Sequence, residues 1–218
     1  MRFHWFIFAA LFALTACSDD DHTPQASYVV TLAELHTDAA GKPTRFIPDG
    51  GHARSVTSTH PPLTSDSLYR VQAMALYEGN DKVSLRQLVN ILSPLPRTFS
   101  ATNRKYNPVE VLALWSSGRY INMRLALRTA NEPHAFAFVE EGWDELDDGT
   151  RRLRLHLYHD RGKNPEYYTR ETYLSCPIYH YNDSELPAEK LLRQGRDSII
   201  FSITTYQNEH TLRLRYGD

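Results

Sequence analysis

Apolar and polar residues alternate along much of the chain with a period of two, which is typical of β-strands rather than helices. Every second residue from Tyr69 to Tyr77 is apolar. The same holds for most of the alternate residues between Val83 and Ile91. The stretch Glu78-Gly79-Asn80-Asp81 between them is typical of a hairpin turn. These short strands favour a small OB-like barrel in the first part of the chain. The predicted strands are 28–36, 44–47, 68–77 and 82–92, and the strand layout of residues 37–67 stays open.

The same alternation continues through the second half of the chain. In one strand Leu153, Leu155 and Leu157 share a face opposite Arg152, Arg154 and His156, and in another Ile121 and Met123 oppose Asn122 and Arg124. Each such strand has one buried and one solvated face, as in antiparallel sheets. Seven strands within about 110 residues predict an immunoglobulin-like β-sandwich. They are 109–115, 119–128, 134–140, 151–159, 167–176, 198–206 and 210–216.

Three stretches depart from this pattern or refine it. Residues 94–107 hold Pro94 and Pro96, have no period and are predicted to be an interdomain linker. Residues 186–194, followed by Gly195, are predicted to form a short helix. Trp115 alternates with Val111 and is predicted to lie in the core.

The first 17 residues are predicted to be a lipoprotein signal peptide. Arg2 precedes an uncharged run that is too short to cross about 30 Å of hydrocarbon as a helix. Leu14-Thr15-Ala16-Cys17 resembles the lipobox of bacterial lipoproteins. That resemblance implies cleavage before Cys17 and acylation of this residue, with more than one acyl chain giving stable anchoring.

The residues after Cys17 bear on where the anchored protein faces. Ser18-Asp19-Asp20-Asp21 resembles the acidic export tag of surface lipoproteins in Bacteroidetes. The alternative is a solvated spacer, so both the surface and the periplasmic face of the outer membrane remain open. The predicted organisation is a signal peptide at 1–17, a tether at 18–26, an OB-like β-barrel at 27–93, a linker at 94–107 and a β-sandwich at 108–218.

Composition narrows the class of partner. Without residues 1–17 the chain has 23 basic and 26 acidic side chains, a net charge of −3. A nucleic-acid-binding protein would show a clustered basic surplus, so no nucleic-acid partner is expected. The chain offers no polybasic membrane patch either, which leaves the lipid at Cys17 as its contact with the membrane.

The sequence presents no catalytic or metal-binding motif and predicts no cofactor. His159 and Asp160 are adjacent in a strand, where neighbours point to opposite faces, so they are not expected to form a hydrogen-bonded dyad. Cys176 and His180 are four residues apart, but Pro177 argues against the helix that would bring them together. Once Cys17 is acylated, Cys176 has no cysteine to pair with; a buried apolar residue is expected, and a reactive thiol is the alternative.

Aromatic residues supply the candidate contact sites. Trp143 lies between acidic residues and is predicted to contact a ligand, with capping of the sandwich edge as the alternative. Tyr167 and Tyr168 begin the predicted strand 167–176 and can extend the same aromatic surface towards a sugar or a peptide.

Several segments together resemble the NigD-like lipoproteins of Bacteroidetes. The resemblance is carried by the lipobox with its acidic continuation and by residues 107–115, 118–123, 155–160, 173–175 and 199–206. It covers most of the mature chain and implies an N-terminal OB-like barrel with a C-terminal β-sandwich. It brings no catalytic residues, and an immunity role against a bacteriocin has been suggested for the family's namesake.

Three functional hypotheses follow. The first is a non-enzymatic lipoprotein that contacts an envelope protein or a glycan through its β domains. The second, by analogy with the family, is a bacteriocin immunity factor. The third is an envelope hydrolase with a site between the two domains, which requires convergent titratable groups in a pocket.

Overall fold

The computed structural model describes residues 28–130 and 132–217. The predicted signal peptide, the tether and Cys17 lie outside these ranges. No helix within them is long and apolar enough to span a bilayer.

The first five strands close into a small barrel in the order β1-β2-β3-β5-β4. Alternate residues of these strands fill its interior, among them Leu35, Phe46, Val71 and Leu85. The predicted OB-like barrel is thus confirmed, and β2 and β3 supply the layout that the sequence left open between residues 37 and 67. The bounds are β1 Val29–Thr37, β2 Pro43–Pro48, β3 Arg54–Val56, β4 Leu68–Glu78 and β5 Lys82–Asn90.

The remaining seven strands form a sandwich of a three-stranded sheet, β10-β7-β6, and a four-stranded sheet, β12-β11-β9-β8. Both sheets face one core that includes Met123, Phe138, Leu155 and Phe201. The predicted β-sandwich is therefore confirmed, although β9 and β11 run parallel. The bounds are β6 Glu110–Ser116, β7 Tyr120–Thr129, β8 Ala135–Glu145, β9 Arg151–Asp160, β10 Tyr168–Pro177, β11 Ser198–Thr204 and β12 Glu209–Arg215.

The segment predicted as a linker packs against the sandwich. The Arg97 N–H donates to the Phe138 carbonyl at 3.0 Å, and the Glu140 N–H donates back to Arg97 at 2.9 Å. Further along, the His159 N–H donates to the Lys105 carbonyl at 2.9 Å. The segment thus covers part of β8 and part of β9. The domain boundaries given above remain predictions.

The predicted helix at 186–194 is wrong. The structure has only a 3₁₀ turn at Ala188–Lys190. Tertiary contacts occupy the backbone groups that a helix would use: the Arg151 guanidinium donates to the Glu189 carbonyl at 2.8 Å. In addition, the buried Asp197 carboxylate accepts the Arg193 N–H at 2.8 Å.

Two β-bulges reverse the predicted direction of single side chains. The register of β6 on β7 shifts between Val111 and Ala113, so Leu114 packs on the core. Trp115 pairs with Asn122 on the outer face, and its predicted core position is wrong. A second shift, in the pairing of β4 with β5, leaves Val89 44% exposed. A bulge adds one residue to a strand and so exchanges its two faces.

Two residues predicted on solvated faces are buried because other parts of the chain cover them. Asn122 is 0% exposed, since the barrel lies over it. His156 is 5% exposed, because Tyr106 of the segment before β6 stacks on its ring with centroids 4.0 Å apart.

Candidate functional site

The contact between barrel and sandwich is built around Arg70 of β4. Its guanidinium donates to both carboxylate oxygens of Asp49, at 2.7 and 2.6 Å, and lies 4.0 Å from the centre of the Tyr120 ring. From the sandwich, the Asn122 amide oxygen accepts from Arg70 at 2.9 Å and the Ser175 hydroxyl accepts at 3.1 Å. The Asn122 amide nitrogen donates to Asp49 at 2.9 Å. These groups satisfy one another, which is typical of a structural network rather than of a site that receives substrate.

A second interdomain contact joins Glu34 of β1 to Arg119, which precedes β7. The Arg119 guanidinium donates to the Glu34 carboxylate at 2.6 Å and lies 4.4 Å from the centre of the Tyr179 ring. Glu34 is buried, and the charge of Arg119 compensates it. The two contacts hold the domains from different strands of the barrel.

His159 is buried and stacks with the half-buried rings of His134 and Phe136 at the start of β8 and the end of β9. Its ring is 4.8 Å from Phe136 and 5.0 Å from His134, in nearly parallel planes. His159 Nδ1 is 2.8 Å from the Asn107 carbonyl, so this nitrogen is the donor. The Nε2 of the neutral ring then accepts from His134 Nδ1 at 2.7 Å.

This arrangement favours neutral rings. Burial lowers the pKa of His159 to about 4, and the hydrogen bond to Asn107 opposes that shift only in part. Burial also lowers the pKa of His134, and nearby Arg170 and Arg161 act in the same direction. Asp160 points elsewhere and accepts from Lys105 Nζ at 2.5 Å. As predicted, His159 and Asp160 do not form a dyad.

The structure does not bring Cys176 together with a catalytic partner. Cys176 is 0% exposed in the sandwich core, and burial raises the pKa of its thiol. It pairs with Ile121 at the beginning of β7, whereas His159 pairs with Phe136 at the opposite end of the sandwich. Within residues 28–130 and 132–217, no group of three or more His, Cys, Asp or Glu side chains is placed to hold a metal ion.

Trp143 is half-buried and packs on the sandwich core. Its Nε1 donates to Glu140 Oε1 at 3.3 Å, its ring meets Tyr181 edge-on with centroids 6.0 Å apart, and the Arg151 guanidinium lies 5.1 Å from the ring centre. These contacts correspond to the alternative of an edge cap. The prediction that Trp143 contacts a ligand stays a prediction.

Tyr167 and Tyr168 lie at the other end of the sandwich from Trp143. Tyr168 begins β10 and pairs with Thr129 at the end of β7, while Tyr181, the neighbour of Trp143, follows the end of β10. The three aromatic residues that the sequence singled out are therefore not one surface. Tyr167 is 80% exposed and Tyr168 41%.

The two tyrosines share their end of the sandwich with Tyr206 and Arg128, and we call these four residues the tyrosine tip. Arg128 lies 4.3 Å from the centre of the Tyr206 ring and 3.4 Å from Glu166, the residue before Tyr167. A groove of about 440 Å³ runs beside Arg128 and Tyr206, and the beginning of β6 and the turn between β11 and β12 line the rest of it. Arg128 is six residues beyond Asn122 on β7, so the tip lies about 20 Å from the barrel contact.

The sequence did not single out Tyr206 or Arg128. Both lie at strand ends, where alternation gives no indication of exposure, and only the fold places them beside Tyr167. The signal that was available is the Thr-Thr-Tyr-Gln-Asn stretch at 204–208, which holds a tyrosine within a polar turn.

The NigD-like C-terminal beta sandwich domain matches residues 94–216, more than half of the chain. The chain belongs to the NigD-like family. Membership was expected from the strand and turn segments of the C-terminal half, and it is confirmed. No protein in the curated set of sequences matches this NigD-like chain.

Solved structures that are similar over most of this chain come from Bacteroides and Parabacteroides. A NigD-like immunity protein from Bacteroides caccae is 26% identical with a TM-score of 0.65, over 86% of this chain and 92% of that one. A proposed toxin-related protein from Parabacteroides distasonis is 16% identical with a TM-score of 0.65, over 88% and 94%. A proposed lipoprotein from Bacteroides fragilis is 12% identical with a TM-score of 0.58, over 87% and 98%. The last two likenesses concern the fold alone.

Proposed function

We propose that this NigD-like protein is a lipid-anchored protein of the outer membrane that binds an envelope protein or a glycan through its tyrosine tip and catalyses no reaction. The observation that carries the proposal is the exposure of Tyr167, Tyr168 and Tyr206 at one end of the sandwich, where Arg128 and Tyr206 line a groove. Tyrosine gives a large contact area at a low cost in side-chain entropy, and it is enriched where proteins bind one another. Arg128 adds donors that can bind a carboxylate or a carbonyl oxygen.

The position of the tip supports the same proposal. The barrel follows the predicted tether. Its first strand begins at Val29, which is five residues, or about 17 Å, from Glu34, the residue that contacts Arg119 of the sandwich. The tip lies at the end of the sandwich that is farther from the barrel contact. A protein anchored through Cys17 would therefore hold its most aromatic surface away from its tether.

Immunity to a bacteriocin is the second candidate function. It is favoured by the name of the Bacteroides caccae structure, an immunity protein that aligns with both domains. An immunity factor binds its toxin, so the tyrosine tip is the proposed surface here too. If deletion of the gene leaves sensitivity to every bacteriocin of related strains unchanged, the immunity candidate is excluded and the first proposal is unaffected.

Substitution of the tip tyrosines tests the proposed binding surface. We expect Tyr167→Ser together with Tyr206→Ser to lower stability by no more than about 1 kcal/mol, because Tyr167 is largely exposed and Tyr206 loses mainly its surface contact with Arg128. The double variant should bind the envelope partner at least about tenfold more weakly, as expected for aromatic anchor residues. The partner is first isolated from an envelope extract on the immobilised wild-type protein, and affinity is then measured against it. Protease treatment of the extract removes a protein partner and periodate treatment removes a glycan, so the two treatments distinguish these classes.

The matched control for that experiment is Tyr28→Ser on the barrel. Tyr28 is 44% exposed and lies beside the Arg86 guanidinium, much as Tyr206 lies beside Arg128. Its loss should leave partner binding unchanged. Equal affinities for the tip variant and the Tyr28 variant would refute the tip as the binding surface.

The anchor and its side of the membrane are tested together. Cys17→Ser removes the acylated thiol, so the variant should move from the membrane fraction to the soluble fraction, whereas Cys176→Ala should stay with the membrane. In intact cells, protease should cleave the wild-type protein if it is displayed on the surface. Protection of the whole chain would exclude surface display and leave lipidation standing; retention of Cys17→Ser in the membrane would contradict lipidation.

A further inference from the structure

The outer face of the four-stranded sheet carries four arginines in two rows, which we call the arginine face: Arg152, Arg154, Arg213 and Arg215. In one row Arg215, Ser198 and Arg152 are direct neighbours across β12, β11 and β9, and in the next Arg213, Ile200 and Arg154 are. The rows are about 7 Å apart along the strands, and the arginines within a row are about 10 Å apart. Between them is a depression of about 350 Å³ above Ser198 and Ile200.

Positive charge on this face is largely uncompensated. Arg154 has an acidic neighbour, Asp144, at 3.6 Å. For Arg152, Arg213 and Arg215 the structure shows no ion pair with any residue of the described ranges 28–130 and 132–217. The barrel contacts Asn122 and Ser175 on the other sheet, so it does not cover the arginine face.

Beside this face, β12 leaves one edge open. It pairs with β11 on one side, and no described strand pairs with its other side. The Tyr216 N–H donates to the Asp197 carbonyl at 2.8 Å, and bonded residues alternate in an antiparallel pair. Leu214 and Leu212 therefore bond to β11, while Arg213 and Arg215 direct their N–H and C=O groups to the open edge.

We propose that the open edge of β12 binds an extended acidic polypeptide segment of a partner protein, which adds as a fifth strand with its carboxylates beside Arg213 and Arg215. This surface is separate from the tyrosine tip and does not depend on it. In an extended strand, alternate side chains lie about 7 Å apart on one face, which is the spacing of the two arginines on β12. Backbone pairing supplies affinity in such complexes, and side chains at alternate positions supply specificity.

The charges also decide between possible occupants of the edge. A second copy of this chain paired edge to edge and centred on Leu214 would set Arg213 of one β12 against Arg215 of the other, which is unfavourable across a strand pair. A pair centred on Leu212 would set Glu209 against Arg215 but would leave Arg213 opposite Thr211, without an acidic partner. Charged side chains on an edge strand discourage pairing with neutral strands in the same way. An acidic strand removes that repulsion and compensates the arginines at once.

The probe is a fluorescent heptapeptide in which glutamate alternates with threonine, added to the full-length protein in neutral detergent at low ionic strength. We expect saturable binding in fluorescence anisotropy. The double variant Arg213→Glu/Arg215→Glu should weaken it at least about tenfold, since each close charge pair contributes modestly and two are reversed. Lys42→Glu/Arg45→Glu, which reverses two exposed charges on the barrel, should leave binding within about twofold.

Two further probes separate strand pairing from a general attraction to anions. The same peptide with N-methyl groups on the amides that face β12 keeps its charges but cannot pair, and it should bind at least about tenfold more weakly. Linear polygalacturonate carries carboxylates without an amide ladder and should compete poorly. Undiminished binding of the N-methylated peptide, or equal competition by polygalacturonate, would overturn strand addition in favour of an anionic-polymer surface.

The remaining outcomes are equally decisive. Absence of peptide binding, or binding that Arg213→Glu/Arg215→Glu leaves intact, would refute the proposed site. A concentration-dependent dimer of the full-length protein that this double variant abolishes would assign the edge to a second copy instead. A tip variant that loses its envelope partner yet binds the peptide normally would confirm that the two surfaces are independent.

Discussion

Arg70→Met should lower the free energy of unfolding by about 3–5 kcal/mol, because removing one partner of a buried ion pair leaves the other without compensation. The substitution would leave the Asp49 carboxylate with Asn122 as its remaining donor in the network, and the Asn122 and Ser175 oxygens would lose the guanidinium. Methionine fills a similar volume, so the effect would be electrostatic rather than that of a cavity. Urea unfolding followed by tyrosine and tryptophan fluorescence measures it.

The network also couples the two domains, so the shape of the transition is informative. Arg70 and Asp49 belong to the barrel, whereas Asn122 and Ser175 belong to the sandwich. We expect the wild-type protein to unfold in one transition and Arg70→Met to unfold in two, with the barrel first. Arg45→Met, at an exposed position of the barrel, is the control; an equal and small effect of both substitutions would contradict the proposed coupling.

Lowering the pH from 6.5 to 4 should remove about 3 kcal/mol of stability through His159 alone. The pKa of His159 is about 4 in the folded chain and 6.5 when the side chain is unperturbed. Between these values the unfolded chain binds a proton that the folded chain does not, so acid favours unfolding. The contribution is complete above pH 6.5, falls as the pH drops towards 4 and is constant below it.

His159→Gln isolates this contribution. Glutamine can still donate to the Asn107 carbonyl but does not titrate. The free energy of unfolding of this variant should therefore depend less on pH between 6.5 and 4, by a slope that corresponds to about one proton. Denaturant unfolding at a series of pH values measures the slope. A slope unchanged by His159→Gln would show that folding does not lower the pKa of this ring.

Alternation along the sequence predicted which residues share a strand face. Leu153, Leu155 and Leu157 were predicted on one face, and all three lie in the core. There are two exceptions, and each follows a bulge in its own strand: Trp115 in the pair of β6 with β7, and Val89 in the pair of β4 with β5. A bulge depends on how two strands fit together, so a single strand's pattern does not contain it.

Alternation does not indicate whether the polar face of a strand is covered. Asn122 and His156 occupy polar faces, yet the barrel covers one and Tyr106 the other. These coverings involve residues far apart in the chain. The buried polar groups of the domain contact and of the His134–His159 pair were therefore not predictable from spacing, even though each strand that carries them was.

The candidate binding surfaces were less accessible to prediction than the fold. Tyr167 and Tyr168 could be singled out because they are adjacent aromatics at the start of a predicted strand. Tyr206 lies near them only in the fold, where Arg128 contacts both the Tyr206 ring and Glu166. The arginine face depends on the parallel pairing of β9 with β11, which places Arg152 and Arg154 in register with Ser198 and Ile200. The sequence indicated seven strands without their order, and this order creates the face.

The packing of residues 97–107 on β8 and β9 also affects how the protein meets a partner. Two domains on a flexible joint lose orientational freedom when one of them is captured, and that loss weakens binding. Here the connection between barrel and sandwich is hydrogen-bonded to the sandwich, and Arg70 and Arg119 bridge the domains. The orientation of the tip relative to the barrel is therefore fixed when the chain folds. A partner that binds the tip restricts only the overall motion of the protein and no motion between its domains.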